Sequence, residues 1–320
     1  MQVLSDFILQ NVIFMGLVSS ITVLAICIIV GFISRKKNIL SDEINFGLSA
    51  MLVKVTLPCT IFISLMRPFS RTLLLESLAT LFLTAAIYLA GYVVGMALAR
   101  LMGAAEDEKR VWQFSLIFAN VGYMGFPVIH AIYGYEGLIY TTMANATFNI
   151  LCFSLGVYLF KRDNSDETIK ANLKSIAFNP ALIATVIGFI FFVTGLRLPG
   201  LLQDGVALIA SMTVPLSMIL IGSILAKNRL LTLVNDTRVL PVIFMRLIGI
   251  PIAAFFILRP FIHNNVMLEI IVLLAAMPVA AVTAIFAEQY KGNTILSSKL
   301  VAISSILCLI TIPLISLVLQ

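Results

Sequence analysis

Acidic side chains are missing from the interior of every long apolar run in this sequence. Glu76, Asp204, Glu269 and Glu288 fall near the ends of such runs, and Asp6 lies outside them. A proton relay built on carboxylates therefore has no evident carrier, and a carboxylate-based sodium site is doubtful. Charge of either sign is scarce, at 11% of the 320 residues against about 25% in a soluble domain. Cys27, Cys59, Cys152 and Cys308 sit in apolar segments, match no CxxC or zinc spacing, and read as small core hydrophobes. No HExxH, no Cys/His cluster and no pair of catalytic aspartates is present, which argues against an intramembrane enzyme. No basic segment precedes the first apolar run and no small-residue cleavage signal follows it. That run reads as a retained helix. The longest loop, 161-KRDNSDETIKANLKS-175, is too short for a soluble domain and reads as a polar connector.

What remains is apolar. Hydrophobic residues make up 61% of the chain and the mean hydropathy is +1.09. This composition predicts an all-α integral membrane protein with the lipid bilayer as its solvent. The net charge of +6 needs no nucleic acid partner, because basic residues collect in cytoplasmic loops. A spanning helix takes about 20 mostly apolar residues. Ten segments qualify: Val12–Ile33, Phe46–Met66, Leu73–Ala99, Trp112–Tyr133, Leu138–Phe160, Pro180–Gly195, Leu201–Ala226, Val239–Leu258, Val266–Tyr290 and Ser297–Leu319. The alternation of barrel strands is absent, which leaves helices as the spanning option. Loops on one side of this arrangement hold fifteen Lys and Arg, and those on the other hold only Arg67, Arg71, Arg197 and Arg259. The basic side is the cytoplasm, so both termini are expected outside a multi-pass cell-membrane protein.

Prolines recur at a fixed offset of five spans. Pro58 in 55-VTLPCTIFI-63 pairs with Pro215 in 212-MTVPLSMIL-220, and Pro127 in span 4 pairs with Pro278 in span 9. Two five-helix units, 1–160 and 179–320 with a cytoplasmic linker at 161–178, follow from this pairing. An odd number of helices turns the second copy upside down, which is the inverted repeat of secondary carriers. Proline removes a backbone donor and crowds the preceding turn, and glycine relaxes the backbone. The stretch 120-NVGYMGFP-127 is therefore expected to be unwound and to face a second interruption at 275-AAMPV-279. Helices 4 and 9, both broken, would cross near the midplane and aim half-helix N-termini at one small volume, which suits a carboxylate.

On these residues the chain resembles the auxin efflux carrier family of bacterial and plant transporters. The matching pieces are the Asn–x–Gly–x–x–Gly–x–Pro run Asn120–Pro127, 179-NPALIATVIGFI-190, 214-VPLSMILIGSIL-225 and 276-AMPVAAVTAIFAEQYKG-292. The resemblance implies a scaffold of helices 1, 2, 6 and 7 and a mobile transport part of helices 3–5 and 8–10. It implies a substrate site at the crossing of helices 4 and 9, and a homodimer is plausible on that likeness alone. Plant members export auxin, and bacterial relatives are linked to malate, malonate and similar acids. The chain lacks the long central cytoplasmic loop of many plant members.

The candidate site gathers around the breaks. Asn120 would bind substrate or satisfy the broken backbone, with Gly122, Tyr123, Gly125 and Pro127 beside it and Met277 and Pro278 opposite. Thr56, Pro58, Thr213, Pro215 and Ser217 mark the paired prolines, where hydroxyls either meet substrate or re-satisfy freed carbonyls. Lys54 and Arg246, the only basic residues deep in the spans, either attract the anion or snorkel to the surface. Asn145 and Asn149, four apart on one helix face, either line the transport part or join helices. His130 is an interior histidine or a proton-coupling group. Gly91 and Gly95 form a GxxxG pattern for close helix packing. No cofactor is expected, and the coupling ion, if any, is H+ or Na+. The expectation is a secondary transporter of a small organic anion working by alternating access. A membrane-embedded sensor that binds without translocating is the alternative.

Overall fold

The computed structural model describes residues 22–160, 174–227, 238–290 and 292–319. Residues 161–173 of the expected linker and the first ten residues of span 1 lie outside the described residues. Helices account for nearly all of what is described. The first, α1, covers 22–36. Six helices are long and apolar enough to cross a membrane: α2 (Asp42–Leu65), α3 (Arg71–Leu101), α5 (Val121–Phe160), α7 (Gly200–Ala226), α8 (Val239–Leu258) and α11 (Thr294–Leu319). Between them lie the shorter α4 (Glu106–Ile117), α6 (Pro180–Thr194), α9 (Asn265–Ala275) and α10 (Val282–Gln289).

Local chemistry sets the boundaries. Ser41, Ser70, Asn179 and Asn264 each accept a first-turn backbone N–H of α2, α3, α6 and α9, respectively. In α6, Pro180 then fills the first helical position, where no N–H is needed, and Gly195 ends the helix in the left-handed conformation at φ 71°. α4 begins at Glu106, six residues before the expected start of span 4. Its first turn carries Glu106, Asp107 and Glu108, whose charge complements the helix N-terminus. α5 is bent into a hairpin at Gly134, which has φ 61°. A Cβ on Gly137 would lie 2.6 Å from the Ile129 side chain, although eight residues of straight helix would separate them by about 12 Å. Spans 4 and 5 of the sequence reading therefore meet in this hairpin. Spans 9 and 10 correspond to α9 with α10 and to α11.

The paired prolines are accommodated by breaks in helical register. Pro58 follows a π-turn at Leu52–Thr56, and Pro215 follows a turn at Met212 that restarts α7 at Thr213. Each break relieves the clash of the ring with the carbonyl four residues earlier.

Glycine decides which helices touch through their backbones. A Cβ on Gly222 of α7 would lie 1.9 Å from the Ile28 carbonyl oxygen of α1, and one on Gly31 would lie 2.0 Å from that of Ile219. The GxxxG expectation holds. Gly91 abuts the Leu116 carbonyl and Gly95 the Gln113 backbone, which locks α3 onto α4.

Two glycines of α7 make a paired test. Gly222→Ala forces α1 and α7 apart and is expected to destabilise by about 1–3 kcal/mol. Gly205 has nothing within 4 Å of its Cβ position, and Gly205→Ala should stabilise by about 0.5–1 kcal/mol through helix propensity. Thermal unfolding of the purified protein in detergent should move in opposite directions for the two.

Candidate functional site

Two interruptions meet inside the molecule. The first separates α4 from α5 at Phe118–Asn120, and the second separates α9 from α10 at Ala276–Ala281. They lie antiparallel. The Asn120 N–H donates to the Pro278 carbonyl at 2.8 Å, and the Ala280 N–H donates to that of Phe118 at 3.1 Å. Ser304 of α11 supports the pair by accepting the Val279 N–H at 3.1 Å.

The first interruption lies upstream of its expected place. The stretch 121–127 is not unwound. Val121–Gly125 forms a π-turn, and Pro127 occupies an early position of the α-helix that starts at Phe126. Asn120 is what restarts the helix. Its Oδ1 accepts the Tyr123 N–H at 3.3 Å, and its carbonyl accepts from Met124 and Gly125. Gly125 serves close packing, since a Cβ there would lie 2.9 Å from Leu274 of α9.

Four helix ends converge on the breaks, and their polar groups separate by sign. The C-terminal carbonyls of α4 and α9 turn towards Arg246. Its guanidinium donates to Leu116 O at 2.9 Å, Ile117 O at 3.5 Å, Ala275 O at 3.0 Å and, through Nε, Met277 O at 3.1 Å. Arg246 is fully buried. It neither snorkels nor opens to a cavity, so direct contact with an anion is not available to it in this conformation.

The N-terminal ends of α5 and α10, each with about half a positive charge from its helix dipole, leave the breaks at Asn120 and Ala281. Here stand amides with unused capacity. Asn120 is 6% exposed, and its Nδ2 has no bond to another described residue. Asn145 is 2% exposed with its Nδ2 unpaired, and its Oδ1 lies 3.9 Å from the Cβ position of Gly122. The Tyr123 hydroxyl pairs with Ser49 Oγ of α2 at 2.6 Å. From Tyr123 and Ala281 a cavity of about 540 Å³ runs between α2, α7, α10 and α11, past Asn45, Ser223 and Ser298 to Asp42.

Other candidates lie elsewhere. Thr56 bonds within its own helix, and Ser217 bonds to the Val214 carbonyl. Thr213 pairs with Thr60 at 2.7 Å, joining α2 to α7. Pro58 is half-buried and Pro215 exposed. Lys54 is exposed on the π-turn of α2. Asn149 is a joint between helices: its Nδ2 donates to the Asn145 carbonyl at 2.8 Å and its Oδ1 accepts from Asn179 at 3.0 Å. His130 packs edge-on against Tyr135 beside the Gly134 hairpin. The sequence reading passed over Asn45, Ser49 and Ser304. Asn45 and Ser49 stand four apart on one face of α2, the same signal that singled out Asn145 and Asn149.

Residues 15–316 match the sequence model of a family described as "Membrane transport protein". An "Uncharacterized transporter" of Methanothermobacter thermautotrophicus is 27% identical over 311 residues, covering 96% of this chain and all of the relative. The uncharacterized transporter MJ1031 of Methanocaldococcus jannaschii is 27% identical over 302 residues, or 92% and 96% of the two chains. The uncharacterized transporter YfdV of Escherichia coli K12 is 22% identical over 302 residues, or 90% and 93%.

The two asparagines of α5 should separate in their stability effects. Asn145→Leu removes an unpaired buried donor and should leave stability unchanged within about 1 kcal/mol, or raise it. Asn149→Leu strands the groups it joins and should cost about 1–3 kcal/mol. Thermal unfolding of both variants in detergent reads the difference.

Proposed function

The chain belongs to the membrane transport protein family, the auxin efflux carrier family that its motifs resemble, and from that membership we propose a secondary carrier for a small organic anion. It is a transporter, not an enzyme. The observation that carries the anion reading is the polarity of the crossed breaks. Two helix N-termini meet a cavity of mixed polar and apolar lining at Tyr123 and Ala281. The buried amides of Asn120 and Asn145, the latter with its Nδ2 unpaired, lie beside those ends without lining the cavity. Helix N-termini favour negative charge and offer free N–H groups, the geometry carriers use for a substrate carboxylate.

On this reading the ten spans form two inverted five-helix repeats. α1, α2, α6 and α7 are the scaffold, and the remaining helices, with both breaks, are the part that moves in alternating access. The Asp42 end of the cavity adjoins the basic loops, so this conformation faces the cytoplasm and both termini lie outside the cell membrane. Outward movement of one negative charge gains about 2.3 kcal/mol per 100 mV, inside negative, which suffices to drive export without a coupled ion.

The test uses Asn120→Asp. Aspartate caps a helix as well as asparagine, which favours the same fold, while the Nδ2 donor proposed to meet the anion becomes a like charge. Malate, malonate, succinate, oxalate and indole-3-acetate are screened for thermal stabilisation of the purified protein and for counterflow in proteoliposomes. One acid should stabilise the wild type. Asn120→Asp should weaken its binding at least about tenfold, the equivalent of one charge-assisted hydrogen bond. Unchanged binding in that variant would remove the site from the crossed breaks. Binding without flux would make the chain a receptor.

A further inference from the structure

Arg246 is buried without an acid. Its side chain is fully enclosed, and its hydrogen bonds run only to backbone carbonyls, with no carboxylate within ion-pair distance among the described residues. A buried cation is retained only if something compensates its lost hydration. Two things do so here. The carbonyls of Leu116, Ile117, Ala275 and Met277 engage Nε, Nη1 and Nη2, and they belong to the ends of α4 and α9. Each helix C-terminus carries about half a negative charge, so the two together match one guanidinium. The planar fork reaches both ends at once, which a compact ammonium does not. The fork is delivered from the π-turn Met245–Gly249 of α8.

A focus of half-helix C-termini and unwound carbonyls is the kind of place where carriers bind a free Na+ or H+. In this chain it is filled. We infer that Arg246 is a resident, tethered cation that takes the position a free cation would hold at the crossed breaks, and that it ties α4 and α9 together as one piece. It is a positioning residue, since it acts on the breaks and not on the transported molecule. The carbonyl focus is therefore closed to alkali cations in the wild type and becomes a guanidinium-sized vacancy when the side chain is removed. The inference rests on the carrier reading only for what the breaks are used for; the vacancy itself stands on geometry alone.

The experiment compares full-length wild type and Arg246→Ala in detergent, by thermal unfolding in NaCl and in choline chloride, with and without 50 mM guanidinium chloride, a concentration on the order of one-hundredth of the several molar that unfold stable proteins. Arg246→Ala should unfold about 10 °C below wild type, the scale of a broken buried charge site in a protein of this size. Guanidinium should return at least half of that shift. Wild type should not be stabilised by guanidinium, nor by NaCl over choline chloride. No rescue in Arg246→Ala, or stabilisation of wild type by sodium that Arg246→Ala loses, overturns the inference. If Arg246→Ala does not fold, Arg246→Lys and Arg246→Gln decide. Lysine keeps the charge and glutamine keeps only neutral donors, so the expected order of stability is wild type, Lys, Gln. Glutamine at or above lysine overturns the inference, because charge would then not be what the carbonyls require. Anion binding is read on the same samples, so loss of the carrier reading is distinguishable from loss of the cation site.

Discussion

Backbone polar groups have no water to turn to inside a bilayer, so a helix can be interrupted there only where the protein supplies partners. This chain interrupts two helices at one place, and the rest of the structure is arranged around satisfying what the interruptions release. Part of the answer is mutual: the strand-like pairing of Ala119 with Val279 lets each break serve the other. The remainder is divided. Carbonyls left over at the ends of α4 and α9 go to Arg246, and the new helix starting at Val121 is capped by Asn120.

That division has an electrostatic consequence. With the two C-terminal ends neutralised by a fixed charge, the field left at the crossing is that of the two N-terminal ends, which is positive. The amides of Asn120 and Asn145 add donors. The cavity beyond mixes the polar groups of Tyr123, Ser49, Asn45 and Ser223 with the apolar side chains of Leu220, Ile285 and Val301, and reaches Asp42 at its far end. On the carrier reading proposed above, a negative ligand would meet complementary dipoles there without a lysine or arginine to hold it tightly. Weak, dipole-based recognition suits a site that must release what it binds.

How much of this was legible in the sequence depended on whether the cause was local. The helix start at Asn179 and Pro180, the GxxxG packing of Gly91 and Gly95, and the second break around Pro278 follow from residues acting on their own backbone. They were readable. The first break was misplaced by several residues because Pro127 was taken as its cause. Proline at an early helical position costs little, and the restart lies with Asn120. Arg246 was legible as an oddity but not in its role. Its partners at Leu116 and Ile117 lie about 130 residues upstream, and backbone carbonyls leave no mark in a sequence. The hairpin at Gly134 had the same character of partial visibility. A gap between apolar runs was evident there, while the direct contact of Gly137 with Ile129 was not.

Close contacts also sort by part, and this bears on motion. Interhelical contacts that a glycine Cβ would breach below 3.0 Å lie within one part or the other: Gly31 and Gly222 between α1 and α7, Gly188 against Leu65 of α2, Gly91 and Gly95 between α3 and α4, Gly125 against α9. At the seam, the Gly122 Cβ position stands 3.9 Å from Leu57 of α2, ordinary van der Waals distance. The described hydrogen bonds across the seam are made by short polar side chains: Ser49 with Tyr123, Ser64 with Thr142, and Asn179 with Asn149. Backbone locked into backbone resists sliding, because shifting it means climbing a steric wall. Hydroxyl and amide pairs can exchange partners or take up water at little cost. Rigid bodies divided by an exchangeable seam are what domain motion around a fixed site requires. The glycine contacts and the hydroxyl pairs thus sort along the same division of helices that the family resemblance implies, and that sorting is what the proposed alternating access would need.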